Sequence, residues 1–333
     1  MRAVVGQYGK ALVIEENVQE VKEGFVLVKT AFSAISAGTE MTGLKYAGTS
    51  FASLGYSAAG TVAEVGGGVR HVKANDRVAC YGSPYVKHAE YILVPKHLVV
   101  PVPHGVGLLE ASTVGLGTIA VHALRQADLR FGEHVVVIGL GLLGQLVAQL
   151  ADAASAQVIA YDVLQGRCDR LRGTGSITVC TSVEETEEAI RLQTGGAGVD
   201  AVIVCASGRE TWLIDQSLKW LRDRGKVVIV GDLDMTCTRE LMFQKEAQLL
   251  ISRAGGPGRY DPVYEAQGFD YPIGFVRWTE GRNMAEYLRL LASRRIAVAQ
   301  LITHQVPLED ASFVYERFVN DPHQTLGVVF AYA

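Results

Sequence analysis

The sequence lacks the features that would direct the protein to a nucleic acid or a membrane. Its 31 lysines and arginines are outnumbered by 35 aspartates and glutamates, and the basic residues are scattered rather than gathered in a stripe. Because proteins that bind nucleic acids present basic surfaces to the phosphates, this balance argues against such a partner. No continuous apolar stretch reaches the roughly 18 residues of a membrane span, and the N-terminal residues do not resemble a secretory signal. We therefore expect a cytoplasmic protein that binds neither nucleic acid nor membrane.

Cysteine is also scarce. The five cysteines are odd in number and widely spaced, and most of them lie inside or beside apolar runs: Cys80, Cys168, Cys180, Cys205 and Cys237. This spacing fits neither a disulfide framework nor a metal cluster, so we expect buried free thiols.

Hydrophobic residues make up 49% of the 333 residues, which is enough apolar material for two packed domains. Up to residue 118 the chain shows short β-rich segments broken by glycine, at residues 25–30, 60–65, 77–81, 89–94 and 99–102. Such regular spacing predicts a β-barrel-like domain rather than a parallel sheet.

The pattern then changes to apolar strands that alternate with helical stretches, with strands at residues 134–138, 158–161, 201–204, 226–230 and 249–251. This alternation predicts an α/β class with a doubly wound parallel sheet, and Ser182 opens a capping box for one of its helices. The tail leaves that rhythm, with one helix at 282–293 between strand-like pieces at 275–278 and 327–332. We therefore predict one domain from residues 1–118 and 256–333, and a dinucleotide-binding Rossmann domain at 119–255.

The strongest motif is HVVVIGLGLLGQLVAQL, in which three glycines follow a strand and open a helix. Gly139 permits a tight turn, Gly141 lets a pyrophosphate approach the backbone, and Gly144 allows the helix to pack closely on the strand. Asp162 lies 23 residues after Gly139, at the end of the next strand, where a carboxylate accepts hydrogen bonds from the adenosine ribose and repels a 2′-phosphate. NAD is therefore expected rather than NADP, although Arg167 is close enough to soften that choice or to lie over the adenine.

Nearly the whole chain resembles the medium-chain dehydrogenase/reductase superfamily, through VLVKTAFSAISAGTE, GYSAAGTVAEVGGGV, NDRVACYG, VGLGTIAVHAL and GKVVIVG. The resemblance implies a GroES-like catalytic domain beside a Rossmann domain, and a homodimer formed through the edge strand around residues 249–251. The stretches ISAGTE, LGYS, HAEYILVP and GPGRYDPVYEAQGFDYPIGFVRWTEGRNM resemble a zinc-independent branch. That branch contains bacteriochlorophyllide a dehydrogenase and the dehydrogenase half of bi-domain oxidoreductases of saccharide biosynthesis.

The positions that hold catalytic zinc in this family lack its ligands here. The sequence has SAGTE from Ser36, GYS from Gly55 and VGL from Val114 in place of the family's cysteine, histidine–glutamate and third-ligand elements, and the four-cysteine lobe is missing. Hydrogen-bond donors must then stabilise the substrate oxygen, and we nominate Tyr56 as general acid or oxyanion donor. Glu40, Ser36, Thr39 and His88 are the other catalytic candidates. For each of these five, a structural role is the alternative: pocket filling, an ion pair, a turn hydroxyl or a buried histidine.

The remaining candidates are assigned by position. Two or three arginines in the tail would suit an anionic or polyhydroxylated substrate, with solvated surface charge as the alternative: Arg253, Arg259, Tyr260, Arg277 and Trp278. The glycine motif and the resemblance together imply cofactor contacts from Thr118, Leu142, Leu143, Cys205, Ala206, Ser207, Val230, Gly231, Asp232 and Ser252.

The function expected is therefore a zinc-independent, NAD-dependent dehydrogenase or ketoreductase. It would interconvert a secondary alcohol and a ketone on a sugar, cyclitol or related polyol. Three alternatives stay open: a bacteriochlorophyllide-type hydroxyethyl dehydrogenase, an epimerase or dehydratase that uses NAD transiently, and an NAD(H)-binding protein without turnover.

Overall fold

The computed structural model describes residues 1–208 and 212–333. The chain divides into two compact units. The unit that we call the β-rich unit consists of Met1–Thr118, Gly255–Arg294 and Val298–Ala333, and the Rossmann unit consists of Ile119–Ala254 and Arg295–Ala297. How catalysis and cofactor binding are shared between the predicted domains remains a prediction.

Short strands and helices follow one another along the whole of the described chain. In chain order, the strands are β1 (Arg2–Gln7), β2 (Lys10–Glu15), β3 (Phe25–Ala34), β4 (Ala52–Ser53), β5 (Ser57–Val65), β6 (Arg77–Tyr81), β7 (Tyr91–Pro95), β8 (Val99–Pro101), β9 (His134–Ile138), β10 (Gln157–Tyr161), β11 (Thr178–Cys180), β12 (Val199–Val204), β13 (Leu221–Ile229), β14 (Gln248–Ile251), β15 (Ile302–Pro307) and β16 (Gly327–Ala331). The α-helices are α1 (Ala37–Tyr46), α2 (Leu108–Ala111), α3 (Val114–Ala127), α4 (Leu142–Ala153), α5 (Gln165–Leu171), α6 (Val183–Thr194), α7 (Trp212–Trp220), α8 (Arg239–Lys245), α9 (Glu280–Ala292) and α10 (Ala311–Asn320).

The Rossmann unit is a parallel sheet with the strand order β11-β10-β9-β12-β13-β14. Its central strands β9 and β12 are almost continuously buried, because helices cover both faces of such a sheet. The strand order reverses between β9 and β12, and ligands of doubly wound sheets bind outside the carboxyl ends at that point. The predicted α/β class is confirmed, and β14, the strand expected to pair in a dimer, is the edge strand.

The β-rich unit contains a mixed sheet in the order β15-β16-β3-β5-β6-β8, with β7 also paired to β3, and a smaller sheet β2-β1-β4. Its core lies on the inner faces of β3, β5 and β6, where Val26, Val28, Val62 and Val78 are almost completely buried. Helix α1 begins shortly after β3, and helix α10 precedes β16 in the chain. Each of these two helices carries a side chain that reaches the candidate site, Glu40 from α1 and Tyr315 from α10.

Three expectations about local structure need correction or qualification. Residues 275–278 were expected to be strand-like but form the end of a turn and an irregular segment, because the N–H groups of Phe275 and Val276 both bond to the carbonyl of Pro272 and are therefore not free to pair with a strand. The tail contains α10 as well as the expected helix. Ser182 does cap α6, accepting a bond from the Glu185 N–H at 3.1 Å, but the Glu185 carboxylate returns to Thr181 instead of closing the box.

All five cysteines are free. Cys80, Cys168 and Cys180 are buried as expected, Cys205 is half-buried, and Cys237 is exposed, which the sequence did not predict. None of the helices in the described part of the chain is both long and apolar enough to cross a bilayer.

Candidate functional site

The glycine loop after β9 has the geometry that dinucleotide binding requires. Gly139 has φ +86°, and a side chain on it would lie 2.6 Å from the Ala206 nitrogen, so only glycine fits. A Cβ on Gly144 would lie 1.8 Å from the Gly139 carbonyl oxygen, which shows how closely α4 packs on the loop. A Cβ on Gly141 would meet no atom within 4 Å. The backbone at Gly141 is therefore open to an approaching group, whereas Gly139 and Gly144 have no room for a side chain.

Helix α4 begins at this open position. Its N-cap is Gly141, and no side chain caps its first turn, in which Leu142 and Leu143 stand. The exposed end of a helix offers N–H groups and a partial positive charge, which together stabilise a phosphate. These features fit the pyrophosphate of a dinucleotide.

Asp162 follows β10 and closes the loop from the other side. One carboxylate oxygen accepts the Leu140 N–H at 2.6 Å, and the other accepts the Leu164 N–H at 2.8 Å. Arg167 Nη1 lies 3.5 Å from the first oxygen. An ionised carboxylate has about four acceptor positions, so Asp162 keeps capacity for a ribose diol. Arg167 Nε is buried and has no hydrogen-bond partner among the described residues.

The loops after β12, β13 and β14 hold the other expected cofactor residues. The Cys205 N–H bonds to the Ile138 carbonyl at 2.8 Å, and a Cβ on Gly231 would lie 1.8 Å from the Ala206 carbonyl oxygen. Ser207 Oγ accepts the Asp232 N–H at 3.2 Å, while the Val230 N–H bonds to the Val204 carbonyl. Burial raises the pKa of the Cys205 thiol to about 12, which favours the protonated thiol at neutral pH.

Two expected cofactor hydroxyls differ in their surroundings. Ser252 Oγ, after β14, is buried and has no hydrogen-bond partner among the residues that the structure describes. It is therefore available to a polar group of a ligand such as a carboxamide. Thr118, which belongs to the β-rich unit, is fully buried and donates its hydroxyl to the Val114 carbonyl at 2.6 Å.

In the β-rich unit Tyr56 and Ser36 form a hydroxyl pair. The Tyr56 hydroxyl donates to Ser36 Oγ at 2.6 Å. Burial, the largest effect, raises the pKa of Tyr56; the negative charge of Glu40 raises it further, while hydrogen bonds from Ser36 and the exposed Thr39 oppose the change. The phenol therefore keeps its proton at neutral pH. Of the two hydroxyl hydrogens in the pair, one is used between them and one remains for another acceptor.

Glu40 does not contact Tyr56 directly but fixes Ser36. Its buried carboxylate accepts the Ser36 N–H at 2.7 Å, the Tyr315 hydroxyl at 2.5 Å and a bond from His88 Nε2 at 2.9 Å. His88 is fully buried and its Nδ1 lies 2.7 Å from Ser33 Oγ. The network thus runs from α10 through Glu40 to the residue that accepts from Tyr56. Sequence reasoning missed Ser33 and Tyr315, because nothing in their local sequence marks them.

The five tail candidates are placed differently from one another. Arg259 is buried, and its guanidinium donates to Glu265 Oε1 and to the Ser83 carbonyl, each at 2.5 Å. Its guanidinium carbon also lies 4.1 Å from the ring centroid of Tyr260, which is 55% exposed. Arg277 is exposed and lies over the half-buried ring of Trp278 at 3.9 Å. Arg253 is exposed and belongs to the Rossmann unit.

Comparison with known proteins agrees with this geometry. Residues 143–266 match the family model of the zinc-binding dehydrogenases. Sorbitol dehydrogenase 2 of Saccharomyces cerevisiae is 28% identical over 299 residues, which cover 79% of this chain and 77% of that protein. D-Guloside 3-dehydrogenase of Escherichia coli strain K12 is 27% identical over 288 residues, covering 83% and 77%.

A solved structure has the same fold over its whole length. It is an oxidoreductase/dehydrogenase of unknown specificity involved in membrane biogenesis from Escherichia coli, with a TM-score of 0.83, 19% identity, and coverage of 100% of this chain and 99% of that chain. The chain is thus similar to zinc-binding dehydrogenases over residues 143–266 and to polyol and sugar dehydrogenases over most of its length. The fold is accordingly a Rossmann sheet together with a GroES-like β-rich unit.

The family model names zinc, and the residues present do not fit that metal. Among the described residues no three His, Cys, Asp or Glu side chains are grouped so that they could hold an ion. The Tyr56 hydroxyl bonds to a serine hydroxyl, and the nearby Glu40 carboxylate and His88 imidazole are already bonded to each other, whereas zinc in proteins is held by a cluster of thiolate, imidazole and carboxylate ligands.

Gly141 and Gly144 offer a matched pair of substitutions. Gly141→Ala has room for its methyl group, so the protein should fold normally and bind NADH at least tenfold more weakly, because the methyl group occupies the approach to the α4 N-terminus. Gly144→Ala collides with the Gly139 carbonyl and should lower the thermal midpoint. NADH fluorescence titration and thermal unfolding separate the two effects. Equal NADH affinity in Gly141→Ala and wild type would contradict the assignment of the loop.

Asp162 is expected to set the choice of dinucleotide. Asp162→Ala should weaken NAD binding by about 10- to 100-fold, since hydrogen bonds to a charged group contribute about 1.5–3 kcal/mol each. Binding of NADP should weaken less or improve, because the repulsion of its 2′-phosphate is lost. The ratio of the two dissociation constants is the readout, and a ratio that stays at the wild-type value would refute the role of Asp162.

Proposed function

We propose that the protein is an NAD-dependent, zinc-independent dehydrogenase or ketoreductase that interconverts a secondary alcohol and a ketone on a polyol, sugar or cyclitol. The observation that carries the proposal is the Tyr56–Ser36 hydroxyl pair, which has one hydrogen to spare and whose serine is fixed by Glu40 through its backbone N–H. The relatives that are named for sorbitol and for a guloside support the substrate class.

The proposed cofactor is NAD. The open backbone at Gly141, the uncapped start of α4 and the carboxylate of Asp162 would hold its pyrophosphate and adenosine ribose. The unpartnered Ser252 hydroxyl would serve the carboxamide. When bound, NAD accepts or supplies the hydride. NADP is disfavoured because its 2′-phosphate would meet the Asp162 carboxylate.

The β-rich unit supplies the proton chemistry in this proposal. Oxidation of an alcohol leaves a proton to be removed, and reduction of a ketone requires one to be donated. Tyr56 keeps its proton at neutral pH. In ketone reduction the Ser36 hydroxyl would turn to donate to the Tyr56 oxygen, which frees the Tyr56 hydrogen for the substrate oxygen. In alcohol oxidation the proton would return to the same phenol oxygen. Glu40 accepts the Ser36 N–H, and His88 and Tyr315 hold the Glu40 carboxylate in place. Thr39 adds a second hydroxyl at the same position.

The tail candidates divide into two roles. Tyr260, Arg277 and Trp278 present rings and a guanidinium outward and are proposed to contact a polar substrate, together with Arg253. Arg259 is buried, and its guanidinium donates to Glu265 and to the Ser83 carbonyl. We propose that it supports the site without contacting the substrate. We also propose a cytoplasmic homodimer that pairs through β14, whose Ile251 is 52% exposed on the edge of the sheet.

Tyr56→Phe tests the proton donor. Removal of the hydroxyl should lower kcat by about 10²- to 10⁴-fold, the usual contribution of a positioned acid, while NADH affinity stays at the wild-type value. Tyr287→Phe is the matched control, since Tyr287 is a buried tyrosine that donates to or accepts from Thr113 Oγ1 at 2.7 Å. Both variants lose one buried hydroxyl, so they should lose similar stability. Equal kcat in Tyr56→Phe and Tyr287→Phe would show that Tyr56 only fills space.

The substrate class is tested by a panel of polyols, cyclitols and sugars with NAD, following NADH absorbance. Oxidation of at least one secondary alcohol is expected. Consumption of a substrate without net NADH would favour transient use of NAD, and NADH binding without turnover of any compound would favour a non-catalytic protein. Either of these results would overturn the proposed reaction.

A further inference from the structure

Glu280 is a fully buried acidic residue whose carboxyl oxygens are not hydrogen-bonded to any described residue. It is the first residue of α9, its N–H bonds to the Pro257 carbonyl at 2.8 Å, and the residue is 0% exposed. Neither carboxyl oxygen has a hydrogen-bond partner among the described residues. An ionised carboxylate in that state is very costly, so the group must be neutral or share a proton.

The neighbours of Glu280 include one cation and a second carboxyl group. Arg259 donates to Glu265 Oε1 at 2.5 Å, and the Tyr260 N–H bonds to the same oxygen at 3.0 Å. Burial raises the pKa of Glu280 to about 9; the charge of Glu265 raises it and Arg259 lowers it. Two carboxyls beside a single guanidinium leave one proton to be kept, since like charges at close range do not both ionise.

The other titratable groups around Glu280 are neutral. Tyr81 on β6 and Tyr264 and Tyr271 in the tail all have raised pKa values, that of Tyr264 to about 12, chiefly through burial, and that of Tyr271 to about 12, chiefly through its bond to Asp261. His97 stacks on Tyr264 with ring centroids 4.6 Å apart, and burial lowers its pKa. The charge of Arg259 and the N-terminus of α9 favour the anion, and burial outweighs them.

Arg259 connects this cluster to Tyr56, the proposed proton donor, through the ring of Tyr81. The guanidinium carbon of Arg259 is 6.0 Å from the ring centroid of Tyr81. The Tyr81 ring meets the Tyr56 ring edge to face, with centroids 5.7 Å apart. Displacement of Arg259 would therefore remove the support of Tyr81 and, through it, of Tyr56.

We propose that the buried Glu280 keeps its proton, and that Glu265 and Arg259, which are bonded to each other, are positioning residues for Tyr56 through the ring of Tyr81. The protonation of Glu280 is independent of the enzyme's reaction. Only the last step, from Tyr81 to Tyr56, rests on the proposed function.

The proposal fixes the sign of a pH effect on stability. A glutamate in the unfolded chain ionises near its ordinary pKa of about 4.3, whereas Glu280 in the folded protein keeps its proton to a much higher pH. Between these two values the unfolded chain has already released the proton, so the contribution of Glu280 to stability falls as pH rises and becomes constant above the folded value.

Glu280→Gln removes this dependence, because the amide keeps the size and cannot ionise. The thermal midpoint of Glu280→Gln minus that of wild type should therefore increase from about pH 5 to about pH 8. The matched control is Glu265→Gln, which removes the anion bonded to Arg259 and should lower the midpoint at every pH in that range. A difference for Glu280→Gln that stays constant from about pH 5 to about pH 8 is the result expected of an ionised Glu280, whose stabilising charge would be lost only below about pH 5. That result would overturn the proposed protonation of Glu280.

Infrared difference spectroscopy examines the wild-type protein itself. Wild type at neutral pH should show the C=O stretch of a protonated carboxylic acid that Glu280→Gln lacks. If that variant does not fold, the band in wild type, and its loss when the pH is raised above about 9, still decides the question. A spectrum without such a band would refute the protonation of Glu280.

Kinetics test the positioning step separately. Glu265→Gln should lower kcat by about 10-fold or more, because small displacements of a reacting group are costly, and should leave the KM for NAD unchanged. If the infrared and stability results hold while kcat of Glu265→Gln equals that of wild type, the link to Tyr56 is wrong. If no substrate is turned over at all, the proposed function fails. The protonation of Glu280 is still tested by the thermal midpoints and the infrared spectra.

Discussion

The buried carboxylate of Glu40 is the constraint on which the candidate site depends. A charge removed from water in this way is tolerated only when donors replace the water, and Ser36, His88 and Tyr315 supply them. Those donors come from the start of α1, from the loop before β7 and from α10, so a single carboxylate joins three distant parts of the chain. Ser36, and with it Tyr56, is placed by that junction.

Glu40 and Glu280 show two solutions to the same physical problem. The Glu40 carboxylate is satisfied by three donors. Glu280 has no hydrogen-bond partner among the described residues, and its pKa is raised. The Glu40 network fixes Ser36 and thereby the Tyr56 hydroxyl, which is what an acid catalyst needs in order to act at a fixed position.

The sequence predicted what depends on local pattern. Gly139, Gly141 and Gly144 were recognised because the turn, the open approach and the close packing each demand glycine. Five of the six strands of the Rossmann sheet were recognised from their apolar runs, and the three-residue strand β11 was missed. The prediction of a strand-like segment at residues 275–278 was wrong, because an apolar, aromatic stretch forms a strand only when its backbone groups are free to pair with another strand. The structural role of Arg259 was not predictable, since burial and the partner Glu265 are properties of the folded tail. Glu280 looked like an ordinary acid at a helix start, and its missing partners became visible only in three dimensions.

The central claim is that hydroxyl donors, rather than a metal ion, stabilise the substrate oxygen. The most direct measurement is the rate of alcohol oxidation with NAD before and after exhaustive treatment with a chelator, with the metal content of both samples determined. The account predicts the same kcat in both samples. A loss of activity that one equivalent of Zn²⁺ restores would contradict it.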